Sequence, residues 1–347
     1  MNKCLGCGAI LQKDDISKEG YTTDLNKKYC KRCFDITHYN KYIISNKKNE
    51  EYLKKINYIN KTNDLVILTV DLFSMIDFEN INISNPIILV FTKKDLIPRS
   101  IKEEKILEKI VTKNNVKSKI FISSKNNYNL DLLMNLINKY KTSKNVYVVG
   151  LTNAGKSSLV NKIVKNYSDG ISDITVSNLP STTLDFIEKK INDNLVLIDT
   201  PGLLDNGNII NLAQNLIKKI IPNKEINPII YQIKHKQSII IEDILKVDLF
   251  ENNNVIFYIS NNLKIERIYK DNDKLINLNK YNLNILDNQD LVIKGLGFIK
   301  FKKKCNIEIY LPKEVDFFIR NSIIWESNNW FFFYIIYYKK TYNKLRV

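Results

Sequence analysis

Residues 150–157 read Gly-Leu-Thr-Asn-Ala-Gly-Lys-Ser, with the apolar run Asn145–Gly150 leading into them and the helix-like Ser158–Val164 following. A strand that turns through such a loop into a helix aims backbone N–H groups and a helix N-terminus at one point, where anionic oxygens bind. The full G-x4-G-K-S spacing between strand and helix is a phosphate-binding loop. Its Asn153, Ala154, Gly155 and Ser158 are expected to line the phosphates, Lys156 to reach the β- and γ-oxygens, and Ser157 to bind magnesium. Strands alternating with helices along this part of the chain fix the α/β class.

Two further elements complete the phosphate side. Leu195–Ile198 reads as another buried strand and ends in Asp199-Thr200-Pro201-Gly202. Asp199 is placed to support magnesium indirectly, and the Gly202 amide to approach a γ-phosphate. Between the two motifs, Pro180-Ser181-Thr182-Thr183 supplies hydroxyls for a mobile magnesium-binding loop.

A base-reading element does not follow residue 202. It stands earlier, where the apolar run Pro86–Phe91 ends in Thr92-Lys93-Lys94-Asp95. A carboxylate at Asp95 accepts two hydrogen bonds from guanine N1 and N2, which adenine does not offer. The next strand, Lys119–Ile122, ends in Ser123-Ser124-Lys125, where a loop amide faces guanine O6. The order is therefore base motif, base loop, phosphate loop, then two switch segments, which is a circular permutation of the usual order. Asp64–Asp71 reads as one more core strand, and Glu50–Asn60, Ile101–Val111 and Leu130–Tyr140 as helices.

Four of the five cysteines fall in the first 33 residues, as the pairs Cys4–Cys7 and Cys30–Cys33. Two C-x2-C pairs supply the four thiolates of a closed structural zinc site; four reduced, unligated thiols are the alternative. Lys27, Lys28, Lys31 and Arg32 around them are either phosphate contacts or a solvated face, and His38 just beyond is not expected to be a ligand.

Cys-Leu-Gly-Cys-Gly from Cys4, Tyr-Cys-Lys-Arg-Cys ending at Cys33, and the permuted nucleotide elements together resemble the YqeH-type permuted GTPases over roughly residues 1–205. The resemblance implies a circularly permuted P-loop GTPase domain (45–206) with an N-terminal zinc knuckle (1–44) and a C-terminal α+β domain (207–347) that binds RNA or the ribosome. It implies GTP hydrolysis through Lys156, Thr183 and Gly202, with Ser157 and Thr183 as magnesium ligands and Asp95 as guanine reader. It also implies a potassium ion at Asn153, although Asn153 bracing the loop through backbone hydrogen bonds is the alternative. Thr92 stands where the family usually has Asn, and Ser181 where it has Gly. Leu203 stands where ordinary small GTPases place a water-orienting glutamine, so slow intrinsic turnover is expected. The implied setting is assembly of the small (30S) ribosomal subunit, with the precursor particle, 16S rRNA or ribosomal proteins as partners.

Composition fits that setting. Lys and Arg number 53 against 37 Asp and Glu, a formal net charge of +16 that attracts polyanions. The first residues lack the apolar run of a secretory leader, and Trp330–Tyr338, the longest apolar stretch, is short of a membrane span. A cytoplasmic monomer with no membrane partner is expected. Past residue 206, short β-prone stretches recur at Val255–Ser260, Ile265–Tyr269, Leu291–Ile293, Asn306–Leu311 and Trp330–Tyr338. Ile210–Ile220 and Gln237–Leu245 read as helices. Phe298–Lys304 places Lys300, Lys302, Lys303 and Lys304 among aromatics, either as an RNA-facing strand or as a solvated one. Cys305 reads as a core thiol and His235 as a surface residue. Two other functions remain open: a GTPase acting on tRNA or the mature ribosome, and a non-RNA signalling NTPase.

Overall fold

Strands that are apolar on both faces need cover on both faces, which parallel sheets flanked by helices provide. The chain, seen in a computed structural model that describes residues 2–4, 9–15, 20–31, 34, 49–71, 82–168, 186–200, 202, 207–269, 274–275 and 277–324, follows that rule in its first half. Strands β1 (Leu65–Asp71), β2 (Ile87–Thr92), β3 (Val116–Phe121), β4 (Asn145–Gly150), β5 (Ile187–Asn192) and β6 (Leu195–Asp199) form one sheet in the order β3-β2-β1-β4-β6-β5. All neighbours run parallel except β5, which returns antiparallel to β6 through a tight turn. Helices α1 (Asn49–Ile59), α2 (Glu103–Lys109), α3 (Leu130–Tyr140) and α4 (Lys156–Tyr167) alternate with the strands. Leu133 and Ile137 of α3 and Leu159, Val160 and Ile163 of α4 pack on Ile67, Val90, Val148 and Leu197 of the sheet. Burying each such side chain contributes about 1.5–3 kcal/mol.

The permutation is visible in the topology. β4, which carries the phosphate loop, lies between β1 and β6, so segments far apart in sequence end at one edge.

The chain divides into two compact units, Met1–Asp95 with Thr112–Asp205, and Leu96–Val111 with Asn206–Val347. The second unit holds β7 (Ile229–Ile233), β8 (Gln237–Ile241), β9 (Leu245–Leu249), β10 (Asn253–Ile259), β11 (Ile265–Ile268), β12 (Asn279–Ile285), β13 (Gln289–Ile293), β14 (Gly297–Phe301), β15 (Cys305–Leu311) and β16 (Phe317–Asn321). They form two antiparallel five-stranded sheets, β16-β13-β14-β10-β7 and β11-β8-β9-β15-β12. Ile226 N–H donates to Leu96 O at 3.0 Å, and Glu225 Oε1 accepts from Arg99 N–H at 2.9 Å, so the segment ahead of α2 packs within this unit.

Three expectations need correction here. Gln237–Leu245 is not a helix but the hairpin of β8 and β9, with Glu242 at φ +46 in its turn. Its three consecutive isoleucines are stiff at χ1 and favour a strand. Ile210–Ile220 is not one helix: two 3-10 turns, Ile209–Asn211 and Gln214–Leu216, precede a four-residue helix α5 (Ile217–Ile220), with Ala213 at the non-helical φ −97, ψ 53.

The third concerns Lys300, which is 3% exposed and does not face outward. It sits on β14 across from Asp290 of β13, and Arg320 of β16 flanks Asp290 on the other side. Its Nζ donates to Ile324 O at 2.6 Å. Asp290 and Arg320 are buried too, with Arg320 Nε 3.3 Å from Asp290 Oδ2 and its guanidinium over the Phe298 ring. A buried carboxylate needs cations beside it, so the pairing draws Lys300 inward. Lys302 is half-buried, while Lys303 and Lys304 are exposed in the turn before β15. Cys305 is buried, as read from sequence, and accepts from Asn253 Nδ2 at 3.1 Å; burial pushes its thiol up to about 11.

Among the described residues no helix is long and apolar enough to cross a membrane. The Trp330–Tyr338 stretch lies outside those residues.

Candidate functional site

The phosphate loop is shaped by two left-handed residues, Asn153 at φ +65 and Gly155 at φ +77. Gly155 occupies the N-cap of α4 and offers no side chain there, which leaves the first-turn N–H groups pointing into the loop. A Cβ on Gly155 would also come within 3.2 Å of Thr92 Oγ1. Thr92 is buried, and its hydroxyl donates to Ala154 O at 2.8 Å. Thr92 thus ties the base motif to the phosphate loop rather than facing a ligand.

The cationic and acidic groups meet at the ends of β4 and β6. Lys156 Nζ donates to Asp199 Oδ1 at 2.8 Å, with both side chains nearly inaccessible. Ser157 Oγ donates to Asp199 Oδ2 at 3.4 Å. One carboxylate therefore lies between the lysine and the first serine of the loop's G-K-S sequence. The donor set fits magnesium, which takes hard oxygen ligands and one or two protein groups beside phosphate. Thr200 Oγ1 donates to Val148 O at 2.8 Å and fixes the strand end. A Cβ on Gly202 would lie 3.2 Å from the Thr152 backbone N, so only glycine brings this segment so close to the phosphate loop without displacement. Asn153 is exposed at the tip of the loop, and its amide oxygen is a suitable donor for a monovalent cation.

The base motif and base loop are also brought together. Lys94 N–H donates to Ile122 O at 3.0 Å, and Ser123 pairs with Tyr128 to close the base loop. Ser123 is buried and donates through Oγ to Asp95 Oδ1 at 2.7 Å. It aims the carboxylate, while Ser124 and Lys125 sit further out along the loop. Lys93, at φ +60, is anchored by Asp71 Oδ2 at 2.6 Å.

Two residues of this site escaped the sequence reading. Asp71 ends β1 one strand away from Lys93, and only the register of β1 on β2 reveals the pair. Lys189 of β5 is buried and donates to Asn161 Oδ1 on α4, one helical turn beyond Ser157. Burial lowers its pKa, against the field of Asp199. In a lysine-rich chain neither residue stands out by type.

Thr183, with Pro180, Ser181 and Thr182, lies outside the described residues, as do Leu203, Cys7, Cys33, Arg32 and His38. Of the expected zinc ligands, Cys4 and Cys30 are described. They are buried together, with Cys30 N–H donating to Cys4 Sγ at 3.1 Å and Leu11 packed beside them. Cys4 N–H donates to Ala9 O at 2.9 Å. One cysteine from each pair thus lies in the same buried cluster, and a sulfur accepting a backbone N–H fits a metal-bound thiolate. Among the described residues no group of three or more His, Cys, Asp or Glu side chains is placed to hold a metal, though only two of the four cysteines fall among them. Lys27, Lys28 and Lys31 are exposed.

Comparison with known proteins places this geometry. A family model described as 50S ribosome-binding GTPase matches residues 145–282, one described as RsgA GTPase matches 74–207, and one described as YqeH-like, C-terminal matches 267–323. The uncharacterized protein YqeH of Bacillus subtilis is 30% identical over 92% of this chain and 99% of its own length. A putative nitric oxide synthase of Oryza sativa is 29% identical over 58% of this chain and 44% of its own length. The tRNA modification GTPase MnmE of Carsonella ruddii is 28% identical over 52% of this chain and 48% of its own length.

Proposed function

The chain belongs to the YqeH-like family of circularly permuted P-loop GTPases, GTP-hydrolysing switch proteins of ribosome biogenesis, and from that premise we propose that it acts in the cytoplasm on precursors of the small ribosomal subunit. Its partners there are 16S rRNA, ribosomal proteins or both. The observation that carries this reading is where the chain passes between its two units. It crosses at Asp95–Leu96, directly after the guanine reader, returns at Val111–Thr112, and crosses again at Asp205–Asn206, directly after the second switch segment. Both nucleotide-reading elements are thus covalently continuous with the unit that holds the YqeH-like C-terminal match. Sedimentation of the tagged chain from cell extract, with GDP or a non-hydrolysable GTP analogue, tests it. Small-subunit precursor RNA should co-purify in one nucleotide state; tRNA or mature ribosomal RNA alone would favour the other RNA-linked functions.

In this reading Lys156 holds the β- and γ-phosphates and Asp95 reads guanine. Ser157 and Thr183 hold magnesium directly, Asp199 supports it, and the Gly202 amide senses the γ-phosphate. A bound magnesium ion neutralises charge that grows on the phosphate oxygens during hydrolysis. Leu203 offers no group to orient water, so intrinsic turnover is slow and rises on the particle.

Potassium is assigned to Asn153, where its charge would offset the charge developing near the β/γ bridge. Hydrolysis should then run faster in potassium chloride than in sodium chloride at equal ionic strength, and Asn153→Ala should erase the difference. Equal rates for the parent chain in both salts, with and without particles, would leave Asn153 a loop-bracing residue.

Zinc is assigned to Cys4, Cys7, Cys30 and Cys33. Four thiolates leave no open position, so the metal folds the knuckle rather than taking part in hydrolysis. Structural zinc contributes roughly 10–16 kcal/mol to such segments. Cys30→Ser should release the metal and unfold the knuckle while nucleotide affinity changes little. Elemental analysis finding no zinc in the parent chain, purified without chelator, rules the assignment out.

A further inference from the structure

An aromatic and cationic stack rises from the core of the second unit to its surface. Phe257 is fully buried, and Tyr231 of β7 meets it edge-on with centroids 5.6 Å apart. The Arg267 guanidinium of β11 lies 5.2 Å from the Tyr231 ring and 4.8 Å from the Tyr269 ring, so it is held between the two tyrosines. Arg267 is oriented further by Gln237 Oε1 and, through Nη2, by Gln232 O at 2.8 Å. Tyr269 ends the stack and is 66% exposed.

The surroundings of Tyr269 carry positive charge. β11 runs antiparallel to β8 with Ile268 opposite Ser238, so Tyr269 lies level with the start of β8 and the exposed turn Lys234-His235-Lys236. Lys236 extends over the ring of Phe250, itself 38% exposed. The neighbouring carboxylate of Glu266 is already engaged by Lys264 and Lys274, each at 2.7 Å.

We propose that Tyr269, stacked on Arg267 and level with the turn that carries Lys234 and Lys236, is a stacking platform for a base of single-stranded RNA. The ring supplies a face that any base can stack on, the lysines meet the adjoining phosphates, and the fixed arginine removes the entropy cost of ordering the ring. A protein partner would need a broad apolar core, whereas this ring lies on Arg267 and level with a turn that carries two lysines. The assignment rests on the RNA-linked function given above and moves the contact away from Lys300, which is buried.

The test is fluorescence anisotropy of a labelled oligo(U) dodecamer with the full chain, as a function of salt. Tyr269→Ala should weaken binding about tenfold, and Tyr269→Phe should restore it to within about twofold. The pair Lys234→Ala and Lys236→Ala should flatten the slope of log affinity against log salt by about 1.4, for two lost phosphate contacts. Intrinsic GTP hydrolysis should be unchanged in all of these variants. If the parent chain binds RNA and Tyr269→Ala binds equally well, the platform is refuted and the RNA-linked function stands. If the parent chain binds neither the dodecamer nor small-subunit precursors in any nucleotide state, the function itself fails and the platform with it. Loss of a ribosomal protein, rather than RNA, on Tyr269→Ala would make the surface a protein-docking site and overturn the proposal.

Discussion

Lys156→Ala should reduce single-turnover GTP hydrolysis by about 10²–10³-fold, the cost typical of removing one preorganised donor from developing charge. Lys156 is the only group among the described residues that couples the phosphate loop to Asp199 by an ion pair, at 2.8 Å. Its loss removes the charge assigned to the β- and γ-oxygens in the proposed reading and leaves a buried carboxylate with Ser157 Oγ and the more distant field of Lys189. Triphosphate binding should suffer more than diphosphate binding, because the γ-phosphate loses its cation. Leaving half of a buried pair behind is costly, by about 3–5 kcal/mol, so thermal denaturation of the variant should accompany the kinetics. A folded Lys156→Ala chain that hydrolyses GTP at nearly the parent rate would mean that the phosphate loop lies elsewhere.

Asp95→Asn should exchange base preference. In the proposed reading the Asp95 carboxylate accepts from guanine N1 and N2, and each hydrogen bond to a charged group is worth about 1.5–3 kcal/mol. Losing both should weaken GTP roughly 10²–10⁴-fold by that measure. Xanthine carries an oxygen where guanine carries its amino group, and an amide side chain can donate to it. Xanthosine triphosphate should therefore bind the variant better than GTP does. The Ser123 hydroxyl can still donate to the side-chain oxygen at position 95, so the base loop stays closed and the effect is on recognition rather than folding. Competition against labelled GDP measures it. A variant that keeps the parent order, with GTP far ahead of the xanthine nucleotide, would remove Asp95 from base recognition.

Much of the first unit was legible because its signals are local. The glycines, the lysine and the apolar run of residues 145–157 carry their own geometry, and α3 was placed at its observed ends by its apolar period. The permuted order could be read because the base motif, the base loop, the phosphate loop and the Asp199 segment each follow a strand of their own. What escaped depends on register across strands. Asp71 belongs to the site only because β1 lies beside β2, and Lys300 turns inward only because β14 places it opposite Asp290. The second unit was harder still. Its strands pair over long separations, and β8 and β9 are buried on both faces, so the alternation that marks a half-exposed strand is missing. Gln237–Leu245 was accordingly mistaken for a helix. The stack through Arg267 joins β7 of one sheet to β11 of the other, a relation that no pattern within either strand could carry.

The central claim is that one guanine-nucleotide site, assembled from a permuted chain, governs attachment to a small-subunit precursor. Its most direct test is the affinity of the full chain for purified precursor particles, measured with GDP and with a non-hydrolysable GTP analogue under the same salt conditions. A switch of ordinary strength carries about 1–3 kcal/mol of coupling, so the two affinities should differ by roughly 5- to 150-fold. Thr183→Ala should bind GDP as the parent does and lose most of that difference. Equal affinity in the two nucleotide states, for a parent chain shown to bind both nucleotides, would contradict the account.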